Sequence, residues 1–187
     1  NINVKGNLIG ANIKFKQSSV GATGNILMAA VKANGQTIIN EYAKEPEIED
    51  LINFLKKMGA SIDLIGKDDV RIVGKDLYSG GFDYSIIPDR IEAATFLIAV
   101  AICGGEVTLN KVIPNHLSIV IDKLIAAGVD ININSDSIDI KSDGVIKPVD
   151  IITEPYPGFP TDIQAQWMAM MSFSKGNSKV VENIYKD

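Results

Sequence analysis

The chain has 187 residues, of which 46% are hydrophobic and 22% are charged, and its formal net charge is −5 at pH 7. This composition is typical of a folded globular protein, and negative charge without a basic cluster argues against nucleic-acid binding. We expect no membrane span, because no apolar run approaches about 18 residues, and the single cysteine excludes an intrachain disulfide.

The first part of the chain predicts strands and two helices. A turn of small residues at 18–23 opens the first helix, which stops at Gly35. A proline among acidic residues at 44–50 opens the second helix, which ends at Gly59. The predicted strands are short segments within 1–16, then 36–41, 61–64 and 70–73.

The same order of elements then returns. The second copy has helices from Pro88 to Gly104 and at 115–127, and its strands are predicted at 106–109, 129–133 and 137–140. A third copy begins with a helix from Thr161 that ends near Gly176, followed by a strand at 179–182. The period, measured between Gly35, Gly105 and Gly176, is about 70 residues.

This repeat defines the expected fold class. Each copy has two amphipathic helices and about four strands, so it can bury helices against a sheet. We therefore predict an α/β (α+β) fold built of repeated βαβαββ units. The period is too long for a solenoid, whose units have about 20–50 residues. Because the third copy stops partway, we expect the chain to be a fragment of a larger protein.

Each copy opens a helix from a distinctive turn, at 20–23, 88–90 and 160–162. Helix N-termini present backbone N–H groups that suit anionic ligands, so these turns converge on a ligand if the copies pack around an axis. The alternative is that each turn only caps its helix. For Asp162, which follows a rigid proline-rich segment, both interpretations stay open.

Cys103 lies in an apolar run, and we interpret it as a small core residue rather than as a nucleophile. No group of histidine, cysteine and carboxylate side chains has the spacing of metal ligands, so we expect neither a metal ion nor a cofactor.

Five segments resemble the UDP-N-acetylglucosamine enolpyruvyl transferase family, in the same order and over almost the whole chain. They are 19–23 (SVGAT), 44–51 (KEPEIEDL), 54–60 (FLKKMGA), 88–96 (PDRIEAATF) and 157–166 (PGFPTDIQAQ). The resemblance implies that family's inside-out α/β barrel, with two domains of three repeats each. It identifies residues 1–86 as the last repeat of the first domain, and residues 87–187 as the first repeat and the start of the next repeat of the second domain.

The resemblance also implies a site. Ser19, Val20 and Gly21 resemble the turn that binds the diphosphate and sugar nucleotide through hydroxyl and backbone N–H groups. Asp162 resembles the aspartate beside the sugar 3-hydroxyl, which makes it the candidate general base or the group that orients that hydroxyl. Thr161 accompanies it.

Three further residues carry substrate-binding roles by the same resemblance. Ile184 matches an apolar position whose backbone contacts the nucleotide sugar. Glu45 and Asp89 resemble acidic residues that line the family's cleft.

The implied reaction transfers the enolpyruvyl group of phosphoenolpyruvate to the 3-hydroxyl of UDP-N-acetylglucosamine, in the cytoplasm of a bacterium. This is the first committed step of peptidoglycan synthesis. The expected partners are these two substrates and the remaining segments of the same enzyme. The family's catalytic cysteine loop and its phosphoenolpyruvate-binding lysine and arginines match nothing in this chain, so we expect little or no transferase activity from these residues alone.

Two alternatives remain at this point. The sister family of shikimate-phosphate enolpyruvyl transferases shares the fold and the reaction type but binds no nucleotide, and the segments SVGAT and FPTDIQ favour the UDP-sugar family. A binding or scaffold protein that kept the repeats and lost the chemistry is the other alternative. It is favoured by the missing cysteine loop and by Gln17, which stands where many family members have lysine.

Overall fold

The computed structural model describes residues 6–75 and 80–185. The first part of the predicted strand segment 1–16, residues 1–5, lies outside the described residues. The chain divides into two compact units, Asn1–Ile87 and Pro88–Asp187. That these units belong to two successive domains, with the boundary after residue 86, stays a prediction.

The described residues form five α-helices and nine strands. The helices are α1 (Val20–Ala30), α2 (Pro46–Lys57), α3 (Arg90–Cys103), α4 (Ser118–Ala126) and α5 (Gln164–Met171), and 3₁₀ turns at Pro114–Leu117 and Thr161–Ile163 precede α4 and α5. The strands are β1 (Asn12–Lys14), β2 (Gln36–Asn40), β3 (Ser61–Ile65), β4 (Asp69–Val73), β5 (Gly105–Asn110), β6 (Asp130–Ile133), β7 (Ser137–Ser142), β8 (Ile151–Ile152) and β9 (Val180–Val181).

The first unit is a sheet of order β1-β2-β4-β3 packed against α1 and α2. Strand β1 runs parallel to β2, and the other pairs are antiparallel. Helix α2 buries Ile48, Ile52 and Leu55, which recur every three or four residues and so share one face. Strand β4 buries alternate residues, and Val70 and Ile72 are both 0% exposed.

The second unit repeats this arrangement with an antiparallel sheet of order β5-β7-β6. Helix α3 buries Ala94, Leu97 and Ala101 along one face, in the same core cluster as Ile138 and Ile140 of β7. The order helix, strand, helix, strand, strand is therefore confirmed in both units. The first unit also has a strand, β1, before its first helix, which completes the predicted βαβαββ unit.

A third copy begins with β8, α5 and β9. The two strands are parallel, with Ile151 opposite Val180 and Ile152 opposite Val181. Between them in sequence, Trp167 of α5 is fully buried and meets the Phe159 ring edge-on, with 5.4 Å between ring centroids. Helix α1 likewise lies between β1 and β2 in sequence, and those two strands are also parallel. The start of the predicted third copy therefore has the same form as the start of the first.

The interpretation of Cys103 as a core residue is wrong, because its side chain is exposed. Helix α3 buries positions such as Leu97 and Ala101, and the last residue of the helix lies off that face, directly before Gly104. The surrounding apolar run was therefore misleading for this position. None of the helices in the described part of the chain is long and apolar enough to cross a membrane.

Tyr84 fastens the end of the first unit to α2. Its hydroxyl donates to the Asp50 carboxylate at 2.8 Å, and its ring meets Phe54 edge-on with 5.1 Å between centroids. Burial, followed by the hydrogen bond and the negative charge of Asp50, raises the pKa of Tyr84 to about 12. Because the folded pKa is above the ordinary value of 10.0, this interaction stabilises the unit below pH 10 and is lost as the pH rises towards 12.

We expect Tyr84→Phe to lower the free energy of unfolding by about 1 kcal/mol at pH 8, the usual value of one hydrogen bond. The difference between the parent and the variant should shrink at pH 11.5, where the parent loses the interaction and the variant has nothing to lose. Urea unfolding followed by circular dichroism at both pH values measures this. A difference that stays constant with pH would show that the bond to Asp50 does not raise the pKa of Tyr84, and equal stability at pH 8 would show that the hydroxyl contributes nothing.

Candidate functional site

The turn before α1 caps the helix through Ser19 and leaves the first residues of the helix exposed. Ser19 has extended backbone angles, and its Oγ accepts a hydrogen bond from the Ala22 N–H at 3.3 Å. Ser19, Val20 and Gly21 are all exposed. The first N–H groups of a helix have no acceptor within the helix, so the N–H groups of Val20 and Gly21 face outward.

Gly21 has no local structural reason to be glycine. It lies inside the first turn of α1, and a Cβ built there would meet nothing within 4 Å. Glycine within a helix is less stable than alanine by roughly 0.5–1 kcal/mol. A glycine kept at this cost in front of open N–H groups suits the close approach of an anion to the backbone.

Glu45 lies at the start of α2, next to Pro46 in the first helical turn. The neighbouring Ala43 N–H donates to the buried Thr23 Oγ1 at 3.1 Å, which ties the starts of α1 and α2 together within the first unit. Glu45 is half-buried, and its Oε2 is buried without a hydrogen-bond partner among the described residues. A buried carboxylate oxygen of this kind commonly indicates an external partner such as a ligand or an ordered water.

Asp89 is fully accounted for as a helix cap. Its Oδ1 accepts from the N–H groups of Ile91 at 2.8 Å and Glu92 at 3.2 Å, at the start of α3. The alternative left open by the sequence, that this turn simply caps its helix, therefore explains the conformation without a ligand. A cleft-lining role for the exposed second oxygen of Asp89 stays a prediction.

The turn at Thr161 and Asp162 differs from the expected one. The structure has a 3₁₀ turn at Thr161–Ile163, and α5 begins only at Gln164. Neither start has a side-chain cap, so the idea that Thr161 or Asp162 caps α5 is wrong. Asp162 is instead exposed, and the Thr161 hydroxyl donates to Glu182 at 2.9 Å.

Glu182 is the residue that sequence analysis missed. Its Oε1 accepts from the Thr153 hydroxyl at 2.8 Å and from the N–H groups of Ile184 at 2.6 Å and Tyr185 at 2.9 Å, while its Oε2 accepts from Thr161. Thr153 and Thr161 are 29 and 21 residues away in sequence. Since only the parallel pairing of β8 and β9 brings them together, no local pattern could have indicated this cluster.

The protonation of Glu182 follows from these contacts. Partial burial by itself would raise the pKa of Glu182, but the hydrogen bonds from Tyr185, Thr153, Ile184 and Thr161 outweigh it and lower the pKa below 4.5. Glu182 is therefore an ionised carboxylate at neutral pH. Each of its four partners must donate, because an ionised carboxylate only accepts.

Ile184 lies beside this cluster, half-buried in the turn that follows β9. Its N–H donates to Glu182. The predicted backbone contact between Ile184 and a ligand stays a prediction. Within the second unit the structure thus brings Thr161, Asp162 and Ile184 to one turn region joined by Glu182. Within the first unit it brings the 19–21 turn and Glu45 to neighbouring helix starts.

The arrangement offers no place for a metal ion in the described part of the chain, since no three histidine, cysteine or carboxylate side chains there are grouped to bind one. What the two turns offer is different. The 19–21 turn presents N–H groups and a hydroxyl, which suit an anion. The 161–162 turn presents a carboxylate and a hydroxyl oxygen, which accept hydrogen bonds and can remove a proton.

Comparison with known proteins gives one consistent result. Residues 1–186 match the family described as EPSP synthase (3-phosphoshikimate 1-carboxyvinyltransferase). Two curated proteins named UDP-N-acetylglucosamine 1-carboxyvinyltransferase are similar: that of Clostridium botulinum is 50% identical over 96% of this chain and 43% of its own length. That of Endomicrobium trichonymphae is 50% identical over 98% of this chain and 44% of its own length. The chain thus spans less than half the length of these relatives.

The fold agrees with this result. The crystal structure of the enolpyruvyl transferase NikO from Streptomyces tendae superposes with a TM-score of 0.82, at 20% identity, over 94% of this chain and 45% of that one. At this identity the likeness concerns the fold alone. It confirms the predicted enolpyruvyl transferase fold type, of which this chain is a part.

We expect Asp89→Ala to lower the free energy of unfolding of the second unit by about 1 kcal/mol, the usual cost of losing an N-cap. Asp89→Asn keeps an accepting oxygen and should lose only a few tenths of that amount. Fluorescence of Trp167, the single tryptophan of the chain, reports urea unfolding of this unit specifically. Equal stability of Asp89→Ala and the parent would mean that the carboxylate is not there as a cap.

Proposed function

Because the chain belongs to the EPSP synthase family of enolpyruvyl transferases, we propose that it supplies the nucleotide-sugar half-site for transfer of the enolpyruvyl group of phosphoenolpyruvate to UDP-N-acetylglucosamine. The observation that carries the proposal is identity at half of all positions, over nearly the whole chain, to proteins named for that transfer. The reaction is the first committed step of bacterial peptidoglycan synthesis, which takes place in the cytoplasm.

The first unit binds the diphosphate in this proposal. The N–H groups of Val20 and Gly21 and the Ser19 hydroxyl lie at the positive end of the α1 dipole, where a negative charge is favoured by roughly 0.3–1 kcal/mol. The open space at Gly21 lets a phosphate oxygen approach the backbone directly. The unpaired Oε2 of Glu45 accepts a hydrogen bond from the ligand at the neighbouring helix start.

The second unit holds the reacting hydroxyl. Asp162 accepts the proton of the sugar 3-hydroxyl, or orients that hydroxyl, and Thr161 and the Ile184 backbone hold the sugar beside it. The exposed position of Asp162 on a turn fixed by Pro160 leaves its carboxylate accessible to a substrate. Asp89 contributes its remaining carboxylate oxygen to the edge of the same cleft.

The chemistry is an addition followed by an elimination. The sugar oxygen bonds to the central carbon of phosphoenolpyruvate as its proton passes to Asp162, and the methylene carbon gains a proton from an acid. The resulting tetrahedral intermediate then loses a proton from that carbon and releases phosphate. The acid and the cationic groups around phosphate and carboxylate come from other segments of the enzyme, which are the partners of these residues.

We expect calorimetric titration of the chain with UDP-N-acetylglucosamine to give saturable heat, weakened about tenfold or more in Asp162→Asn, since a hydrogen bond to a charged group contributes ~1.5–3 kcal/mol. The matched control is Asp130→Asn, which makes the same charge change at an exposed position of β6 and should bind like the parent.

Shikimate 3-phosphate serves as the control ligand, and it should give no saturable heat. Binding of shikimate 3-phosphate in place of the UDP-sugar would indicate that the chain serves the reaction of the sister family, the shikimate-phosphate enolpyruvyl transferases. A folded chain that binds neither ligand would contradict the proposed half-site.

Gly21 allows stability and binding to be separated. We expect Gly21→Ala to leave the first unit as stable as the parent, or up to about 1 kcal/mol more stable, because alanine is the better helix former. Affinity for UDP-N-acetylglucosamine should fall at least tenfold, because the new methyl group occupies the space in front of the open N–H groups.

The control is Gly24→Ala in the same helix, whose added Cβ would make ordinary contacts with Leu51 and Ile48 at 3.7 and 3.8 Å. It should leave affinity unchanged. Equal affinity of Gly21→Ala and the parent would show that the diphosphate does not bind at this turn.

A further inference from the structure

The hydrogen bonds of Glu182 fix the direction in which Thr161 can bond. A threonine hydroxyl has one proton and two lone pairs. In this structure the proton of Thr161 is given to Oε2 of the ionised Glu182 at 2.9 Å. Towards anything that approaches from outside, the Thr161 side chain therefore has only lone pairs to offer.

The neighbouring groups have the same character. Asp162 follows directly and is an exposed carboxylate, and the N–H groups of Ile184 and Tyr185 are turned inward to Glu182. Acceptors and negative charge at one turn favour a ligand that brings hydrogen-bond donors, such as sugar hydroxyl or amide N–H groups. They disfavour a phosphate.

The two oxygens of Glu182 have different partners. Oε1 of Glu182 already accepts three hydrogen bonds, from the fully buried Thr153 and from the two backbone N–H groups. Thr161 is half-buried and contacts the other oxygen. The bond between Oε2 and Thr161 is therefore the one that connects Glu182 to the 161–162 turn.

We propose that Glu182 is a positioning residue and a specificity determinant of the candidate site, because it commits the Thr161 proton and makes the 161–162 turn a subsite for hydrogen-bond donors. This inference rests on the proposed function and refines it. It gives a physical reason why the 161–162 turn holds the hydroxyl-bearing part of the ligand.

Glu182→Gln is the decisive variant. A glutamine has the same shape, and its carbonyl oxygen can keep the three donors that meet Oε1. Its NH₂ group then faces Thr161 and must donate, so the Thr161 hydroxyl becomes an acceptor there and its proton turns outward. The turn stays in place, while the outward side of the Thr161 hydroxyl changes from two lone pairs to one lone pair and a proton.

The first measurement is made by NMR without ligand. The amide resonances of Ile184 and Tyr185 should titrate together with a midpoint below 4.5 in the parent and should not titrate in Glu182→Gln. Three-bond couplings should show one Thr161 side-chain rotamer in the parent and averaging in Glu182→Ala. Amides that do not titrate in the parent, or a Thr161 rotamer that Glu182→Ala leaves unchanged, would overturn the proposal.

The second measurement is calorimetric titration with UDP-N-acetylglucosamine. Glu182→Gln and Thr161→Val should each weaken binding about tenfold. The double variant should be no weaker than Thr161→Val alone, because Glu182→Gln acts through the Thr161 hydroxyl, which valine lacks. Thr161→Ser keeps the hydroxyl and should recover most of the affinity that Thr161→Val loses. Glu154→Gln, at an exposed position of the same unit, is the charge control and should also bind like the parent.

The two measurements separate the possible failures. Parent-like binding by Glu182→Gln, or full additivity with Thr161→Val, would overturn the role of Glu182 and leave the proposed function intact. A folded parent that binds no UDP-sugar would contradict the proposed half-site. The role of Glu182 in holding Thr161 is then decided by the rotamer and amide titration alone.

Discussion

Parallel pairing of two strands around a helix is the constraint on which all the candidate residues but Asp89 depend. In such a unit the chain leaves the first strand at its carboxyl end, enters the helix, and returns so that the second strand ends at the same edge. The pairs β1–β2 and β8–β9 both have this form. Ligands of open α/β sheets bind at this edge, where helix N-termini and strand ends meet.

The positions of the candidate residues follow from this geometry. In the first unit the 19–21 turn follows β1 and Glu45 follows β2. In the third copy Thr161 and Asp162 follow β8, and Glu182 and Ile184 follow β9. The same two places of the repeat thus carry the candidate groups twice, with different chemistry. Exposed N–H groups of a helix start lie in the first copy, and a carboxylate and a hydroxyl group lie in the third.

Sequence alone was sufficient for the parts of the structure that local patterns determine. The apolar stripe of α2 and the glycines after the helices gave the repeat and its period, because periodicity and helix ends are local properties. The Pro-Thr-Asp order also indicated a cap, which proved wrong because Glu182, 21 residues away, takes the Thr161 hydroxyl. The contacts of Glu182 could not be predicted from the sequence, because its partners come close only once β8 and β9 are paired.

Because the β8–β9 pair is short, it depends on side-chain contacts, and Glu182 makes several of them. Strands β8 and β9 match only two residues each, far fewer than the roughly 5–6 of an ordinary strand. Two other features hold the pair: Trp167 packs against Phe159 and donates to the Val149 carbonyl at 3.3 Å, and Glu182 joins Thr153 after β8 to the turn after β9. The carboxylate that closes this short pair is also the one that takes the Thr161 proton. Glu182 therefore contributes to the stability of the pair and, in our proposal, also sets the hydrogen-bond polarity of Thr161. Among simple replacements only glutamine, with the same shape and no charge, can alter the second while largely keeping the first.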